Sequence, residues 1–429
     1  MIQRSLSQFA SRLPFFYGFV MMPVAMMLQI GTSSGQSFAI AAFTPALRES
    51  LQMSDSRLSF AYMLGTFLAA FPLFLVGPAS DRFGLKPVTL VAVIALSCVC
   101  ILAAHVNGFG TLLLVFFLLR FLGQGSLTLL SSNAIAMWFR SRIGRVSAVM
   151  SIGTALAFAW IPGWISDAID QFGWRQTYEW IGILTAVCLV PIVSLFFINR
   201  PEDIDQQVDG FSSQPNDQTK EQNSPQPDSF TLPEALRTRS FYILATTSAV
   251  WAMAGTAVVF YLYVICQDRG FSRQVGSDLF KTFGLSMLVA QLLGGVLGDF
   301  LPLNRLLGIG TVALCAGLGL ICMGQSVTAF HGFAALFGGG QGLLVAVGAV
   351  VWVRYYGRAH LGSIRGTMWC CTVAGSGCGP LLMGVSRDQT GDFHTAILAF
   401  FVLLGVLSVT AWWATPPNKI DQPKFGLDQ

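Results

Sequence analysis

Long apolar runs alternate with short polar turns from one end of this 429-residue chain to the other. A helix needs roughly 20 mainly apolar residues to cross a bilayer, and twelve runs come close to that length. They lie at about Phe15 to Ala42, Arg57 to Val76, Val88 to Ala104, Gly110 to Met137, Val146 to Ser166 and Tyr178 to Ile198, then Phe241 to Cys266, Gly276 to Gly298, Leu306 to Gln325, Phe330 to Val353, Gly366 to Ser386 and Thr395 to Ala414. We number them spans 1 to 12. Between spans 6 and 7 the pattern changes. Asn199 to Asp228 is rich in Asp, Gln, Pro and Ser, has little that can form a core, and reads as a solvated linker. At its end, Thr231-Leu232-Pro233-Glu234 has the spacing of a capping box and predicts a short surface helix leading into span 7. The predicted parts are a six-helix bundle over 1–198, a linker over 199–239 and a second six-helix bundle over 240–429.

The two halves echo each other. Trp138-Phe139-Arg140 after span 4 returns as Trp352-Val353-Arg354 after span 10, and Gly123-Gln124-Gly125 returns as Gly340-Gln341-Gly342. Gly294 to Asp299 after span 8 is a degraded copy of the turn after span 2. Landmarks roughly 215 residues apart imply a duplicated unit, a transporter plan whose site sits at the interface of the repeats. The expected fold is an all-α membrane protein, with twelve transmembrane helices in two pseudo-symmetric six-helix bundles.

Composition narrows the function classes further. Hydrophobic residues make up 54% of the chain, charged residues only 11%, and mean hydropathy is +0.63; a soluble domain carries about 25% charged residues. A soluble enzyme is excluded on this pattern. The formal charge of +4 is small and spread over loops, which gives no case for nucleic acid. Nine cysteines lie almost entirely within apolar runs without a Cys-x-x-Cys pair, so they read as packing residues, and no metal or cofactor is expected. The first apolar stretch is too long for a cleavable signal core and is followed by further spans.

The turn between spans 2 and 3 reads Gly77-Pro78-Ala79-Ser80-Asp81-Arg82-Phe83-Gly84-Leu85-Lys86-Pro87. Gly77 and Gly84 lack a Cβ and let two helix ends approach, and Asp81, Arg82 and Lys86 require water or a polar crevice at the membrane face. At these positions the chain resembles the major facilitator superfamily, whose signature between spans 2 and 3 has the form Gly-x-x-x-Asp-Arg-x-Gly-x-Lys. The resemblance implies transport by rocking the two halves about a central site. It also implies a conformational latch formed by Gly77, Asp81, Arg82, Gly84, Lys86 and Arg140, with Asp81 meeting the amino end of span 11 near Gly362 to Gly366. Asn133 with Trp138-Phe139, the basic run Arg140 to Arg145, and Arg200-Pro201-Glu202-Asp203 resemble the monocarboxylate carrier and oxalate:formate antiporter branch. That branch often has a basic residue where this chain has Gln291, and its antiporters can carry a Lys in span 11, where Trp369, Cys370, Cys371 and Ser376 stand instead.

Lys and Arg set the orientation. The loops on the side of the amino terminus hold 17 of them and the opposite side 7. This predicts a multi-pass protein of the inner cell membrane with both termini cytoplasmic. Arg120 in span 4 is the one charge placed near mid-membrane, at a cost of roughly 2.5 to 3.5 kcal/mol. Either it faces a central cavity and binds an anionic solute or serves the coupling step, or helix-end carbonyls hold it and it sets packing. Gln29, Gln36, Gln124, Asn133, Gln291 and Gln341 lie at similar depth, and Trp251 and Trp369 supply aromatic walls. Together with Arg120 they form the candidate substrate set. No Asp or Glu falls in the middle of a span, so a coupling proton is possible without being written in the chain. The expected activity is secondary active or facilitative transport of a small organic anion, monocarboxylate-like, by a monomer in the lipid bilayer. A drug or cation exporter, or a carrier of a neutral polar solute, is the alternative.

Overall fold

A computed structural model describes residues 15–139, 142–210, 230–357 and 360–417. Among them eleven single helices are long and apolar enough to cross a membrane. Span 1 is the twelfth crossing, made of two shorter helices, Gly18–Gly31 and Ser37–Leu51. The others are Asp55–Phe83, Leu85–Ala103, Phe109–Trp138, Ile143–Phe172, Trp174–Phe196, Arg239–Asp268, Arg273–Phe300, Leu303–Met323, Val327–Tyr356, Leu361–Thr390 and His394–Thr410. Large apolar side chains such as Phe71, Phe74, Val187, Leu293 and Phe300 stand more than half exposed around the outside, as lipid requires and water forbids.

The first half pairs span 3 with span 6 and span 2 with span 4, while the second pairs span 8 with span 10, span 9 with span 10, and span 7 with span 11. The repeat landmarks sit as equivalents: Trp138 and Trp352 are both fully buried, and Trp138 Nε1 donates to Ile198 O at 3.3 Å. The first residues of the expected linker pack on the first bundle. Asn199 Oδ1 accepts from Lys86 N at 2.7 Å, and the Gln206 side chain bonds both Phe15 O and Tyr17 N, tying 199–210 back onto the first bundle. Thr231 forms the expected capping box, opening a single helical turn at Leu232–Ala235, and Phe230 N donates to Tyr356 O.

The turn after span 2 is also tighter than its composition suggests. Most of it, Val76–Phe83, is helical, and the chain reverses at Gly84 alone, where φ is +89°. A Cβ on Gly77 would meet nothing within 4 Å, so close helix approach is not what that glycine serves.

The halves touch along spans 2 and 11, 5 and 8, and 1 and 7, and only over part of their length. On span 11, Gly384 faces Ser59 and Asp55 of span 2, and Gly377 faces Phe67. Two turns back on that face Cys370 is exposed, and a Cβ on Gly366 would have no neighbour. On span 8, Ser277 meets Gly163 and Gly284 meets Ala155 and Ala159, Gln291 reaches Ser151, and then Gly295 faces nothing. The molecule is therefore shut at the face where spans 2 and 8 begin, the far face, and parted at the face that carries residues 199–210, the linker face.

Candidate functional site

Span 1 breaks where Gly31-Thr32-Ser33-Ser34-Gly35 offers small, weak helix formers. The chain tightens into a 3-10 turn over Thr32–Gly35, becomes extended at Gln36 (φ −87°, ψ 150°) and restarts as a helix at Ser37. Facing it, Arg120–Leu127 of span 4 is π-helical, a rare winding that concentrates at functional sites. Break and bulge are pressed together: a Cβ on Gly35 would lie 2.2 Å from Leu119 O and 2.9 Å from Gln124 N.

Arg120 emerges at this crossing and is 3% exposed. Its Nε donates to Thr66 Oγ1 at 3.1 Å and its Nη1 to Gly35 O at 3.2 Å. Its guanidinium carbon lies 5.0 Å from the centre of the Tyr62 ring. The carbonyl end of the broken segment is thus met by a cation. The restarted helix has no side-chain cap, so its first N–H groups leave a positive dipole end beside the same guanidinium. Nη2 makes no hydrogen bond among the described residues, so the corner retains donors for an anion. Both readings of Arg120 meet here, because the bonds that fix the side chain also aim it.

Tyr62 links this corner to the second half. Its hydroxyl is 2.8 Å from Ser37 Oγ, and its ring centre is 4.8 Å from that of Phe260 on span 7. Phe158 of span 5 packs at a tilt against Phe280 and Phe283 of span 8. Of these rings Tyr62 lies against the Arg120 guanidinium, and all of them join the first half to the second.

The other candidates fall into groups. Gln29 Oε1 accepts from Ser131 Oγ at 2.6 Å, binding span 1 to span 4, and Gln36 Nε2 folds back onto Thr32 Oγ1 at 3.3 Å. With Arg120 and Gln124 they surround the span 1 and span 4 crossing. Gln341 lies across Gly255 of span 7, where a Cβ would come within 2.2 Å of its Nε2. Trp251, one turn from Gly255, is half-buried, and its indole Nε1 is buried without a partner among the described residues. Gln291 Nε2 donates to Ser151 Oγ at 3.0 Å and so spans the two halves, instead of standing free in a cavity. Asn133 is half-buried on span 4, Trp369 is 62% exposed on span 11, and among the described residues no bond joins either to the rest. Tyr261 and Tyr263 are fully buried at the far seam, bonded to Asp55 O and Ser277 Oγ.

The described residues of the expected latch form no bond with one another. Lys86 Nζ caps span 6 through Ser194 O at 2.8 Å, and Gly84 packs on Asn199. Asp81 and Arg82 are exposed and form no salt bridge among the described residues, and a Cβ on Gly366, in the first turns of span 11, would meet nothing within 4 Å. Arg140 lies outside the described residues. Its repeat counterpart, Arg354, bonds Gly298 O and pairs with Asp299 at 2.7 Å, the second-half copy of the turn.

Reading the chain alone missed Asp55. It precedes the apolar run that begins at Arg57, yet is 5% exposed at the start of the span 2 helix. Its Oδ2 lies 3.2 Å from Arg48 Nη1 and 3.3 Å from Arg387 Nε. The available signal was weak: Ser54-Asp55 is a helix-start pair, and Ser54 does cap the helix through Arg57 N.

The chain matches the profile described as Major Facilitator Superfamily over residues 25–282 and 268–427. It is 24% identical over 351 residues to the uncharacterized MFS-type transporter YhjX of Escherichia coli (strain K12), covering 80% of this chain and 82% of that one. It is 25% identical over 396 residues to the hexuronate transporter of Bacillus subtilis (strain 168), covering 87% and 88%. Among solved structures, a bacterial homolog of the human lysosomal transporter Spinster, in an inward-facing and unoccupied conformation, superposes with a TM-score of 0.71 at 13% identity, covering 93% of this chain and 97% of that one.

Proposed function

Because the chain belongs to the major facilitator superfamily, we propose that its two halves rock about the seam to carry a small organic anion, a carboxylate of monocarboxylate to hexuronate size, through a site centred on Arg120. The observation that carries this is the corner where a buried guanidinium and an uncapped helix N-terminus converge at mid-span. Half-helix N-termini directed at anionic groups recur in carriers with broken helices. The relative named for hexuronate supports a carboxylate. Hydroxyls on such a solute would suit the amides of Gln36, Gln124 and Gln341. The basic excess on the linker face supports a cytoplasmic assignment for it, and the conformation is then the one open to the cytoplasm, as in the Spinster homolog.

The test is counterflow in proteoliposomes with labelled glucuronate, lactate and glucose, with and without a pH gradient. Exchange of the carboxylates without exchange of glucose is expected. Equal exchange of glucose and glucuronate would refute the anion reading, and a dependence on the gradient would identify a coupling proton.

In the opposite state the linker face closes, and Asp81 then meets the amino end of span 11. Asp81→Asn is expected to slow initial uptake several-fold while membrane insertion stays normal. Gly84→Val is expected to do the same, because its φ is unfavourable to a β-branched residue. Uptake rates equal to the parent in both variants would remove the latch.

A further inference from the structure

Along spans 2 and 11 and spans 5 and 8 the halves meet in part through Gly, Ala and aromatic side chains, which can part and re-form without leaving unpaired charge. The far end is built differently. Asp55 of the first half is held there by three separate groups of the second. Arg387 Nε reaches its Oδ2 at 3.3 Å, and Tyr261 Oη donates to its carbonyl oxygen at 2.8 Å. Asp388 accepts from its backbone N–H at 3.3 Å and from that of Ser56 at 3.0 Å. An acid of span 11 therefore caps the helix N-terminus of span 2 across the seam. Arg48 of the first half shares Asp55 Oδ2 at 3.2 Å, and Asp268 of span 7 holds the far edge of Arg387 at 2.8 Å.

We propose that Asp55 is the pin of the far gate: one carboxylate shared by a guanidinium from each half holds the far face shut, and the transport cycle must withdraw it from Arg387, Tyr261 and Asp388. The set is built to part. Asp55 Oδ1 and Arg387 Nη1 are both buried without a partner among the described residues, so the ion pair stops short of a full fork. Once apart, each cation keeps an anion of its own half within reach: Arg48 keeps Asp55 and Arg387 keeps Asp268. A second cross-seam pair, Arg273 with Asp170, has a half-exposed carboxylate and contributes little.

This gate rests on the rocking-halves reading, but its test needs no substrate. Two reporters are used in chains whose other cysteines are replaced by alanine. For the far face it is Ser59→Cys, a position with 0% exposure beside Gly384. For the linker face it is the native Cys370, exposed on the parted stretch of span 11. Each is labelled with a membrane-impermeant maleimide from its own side. Asp55→Asn is expected to raise far-face labelling about tenfold and lower Cys370 labelling in step, with Arg387→Gln doing the same. Asp170→Asn is expected to change either by less than about twofold. Far-face labelling unchanged in Asp55→Asn overturns the proposal. So does labelling that rises at both faces together, which marks a loosened fold. Absence of flux in the counterflow assay with reciprocal labelling intact would reject the transport reading and leave the gate standing.

Discussion

Replacing Arg120 with alanine is expected to lower carboxylate counterflow at least about a hundredfold, the loss that follows when a buried, charge-bearing partner is removed from a bound anion. The same change strips Gly35 O and Thr66 Oγ1 of their donor, so a lower melting temperature accompanies it. Arg120→Lys separates the two effects. A lysine restores the charge but not the planar fork that reaches Thr66 and Gly35 together, so it should recover part of the affinity and little of the rigidity. Saturation curves for both variants, taken on protein that elutes as a single species, decide the matter. Alanine and parent saturating at the same carboxylate concentration would leave Arg120 as a packing residue only.

Gly35→Ala is expected to be the most damaging small substitution in the first half. The atoms awaiting its methyl group are main chain: Leu119 O at 2.2 Å, Gln124 N at 2.9 Å and Gly123 Cα at 3.0 Å. None of them can swing aside as a side-chain tip would. Overpacking of this kind costs about 1–3 kcal/mol or more, and here it would pry span 1 from the π-helical segment that presents Arg120. A thermal melt in detergent should show a marked drop and a poor yield. Gly348→Ala, whose methyl would meet nothing within 4 Å, should leave both unchanged. Equal melting temperatures for the two variants would show that the crossing has slack.

Much of this was legible in the residues. The apolar runs marked every crossing, because a helix in lipid must be long and uncharged whatever its neighbours. The Trp-x-Arg repeat foretold the paired positions of Trp138 and Trp352. The break in span 1 was not foreseen. Its residues are apolar or small enough to pass as membrane helix, and only contact with the bulged span 4 shows where the chain stops winding. Asp55 escaped for another reason. A charge at a span boundary reads as solvated, and its burial depends on Arg387 and Asp388, which lie more than 330 residues further along the chain. Gln291 is legible as a polar residue within an apolar run, but its partner, Ser151, belongs to the other half.

The manner in which each bundle ties off its own ends bears on how the protein is assembled. Gln206 fastens the exit of the first bundle to its own start and Asn199 fastens it to the start of span 3, while Phe230 and Thr238 fasten the entry of the second to Tyr356. Covalent continuity between residues 210 and 230 is then a matter of stoichiometry, and a chain severed there and expressed as two polypeptides should reconstitute a working carrier by lateral association in the membrane.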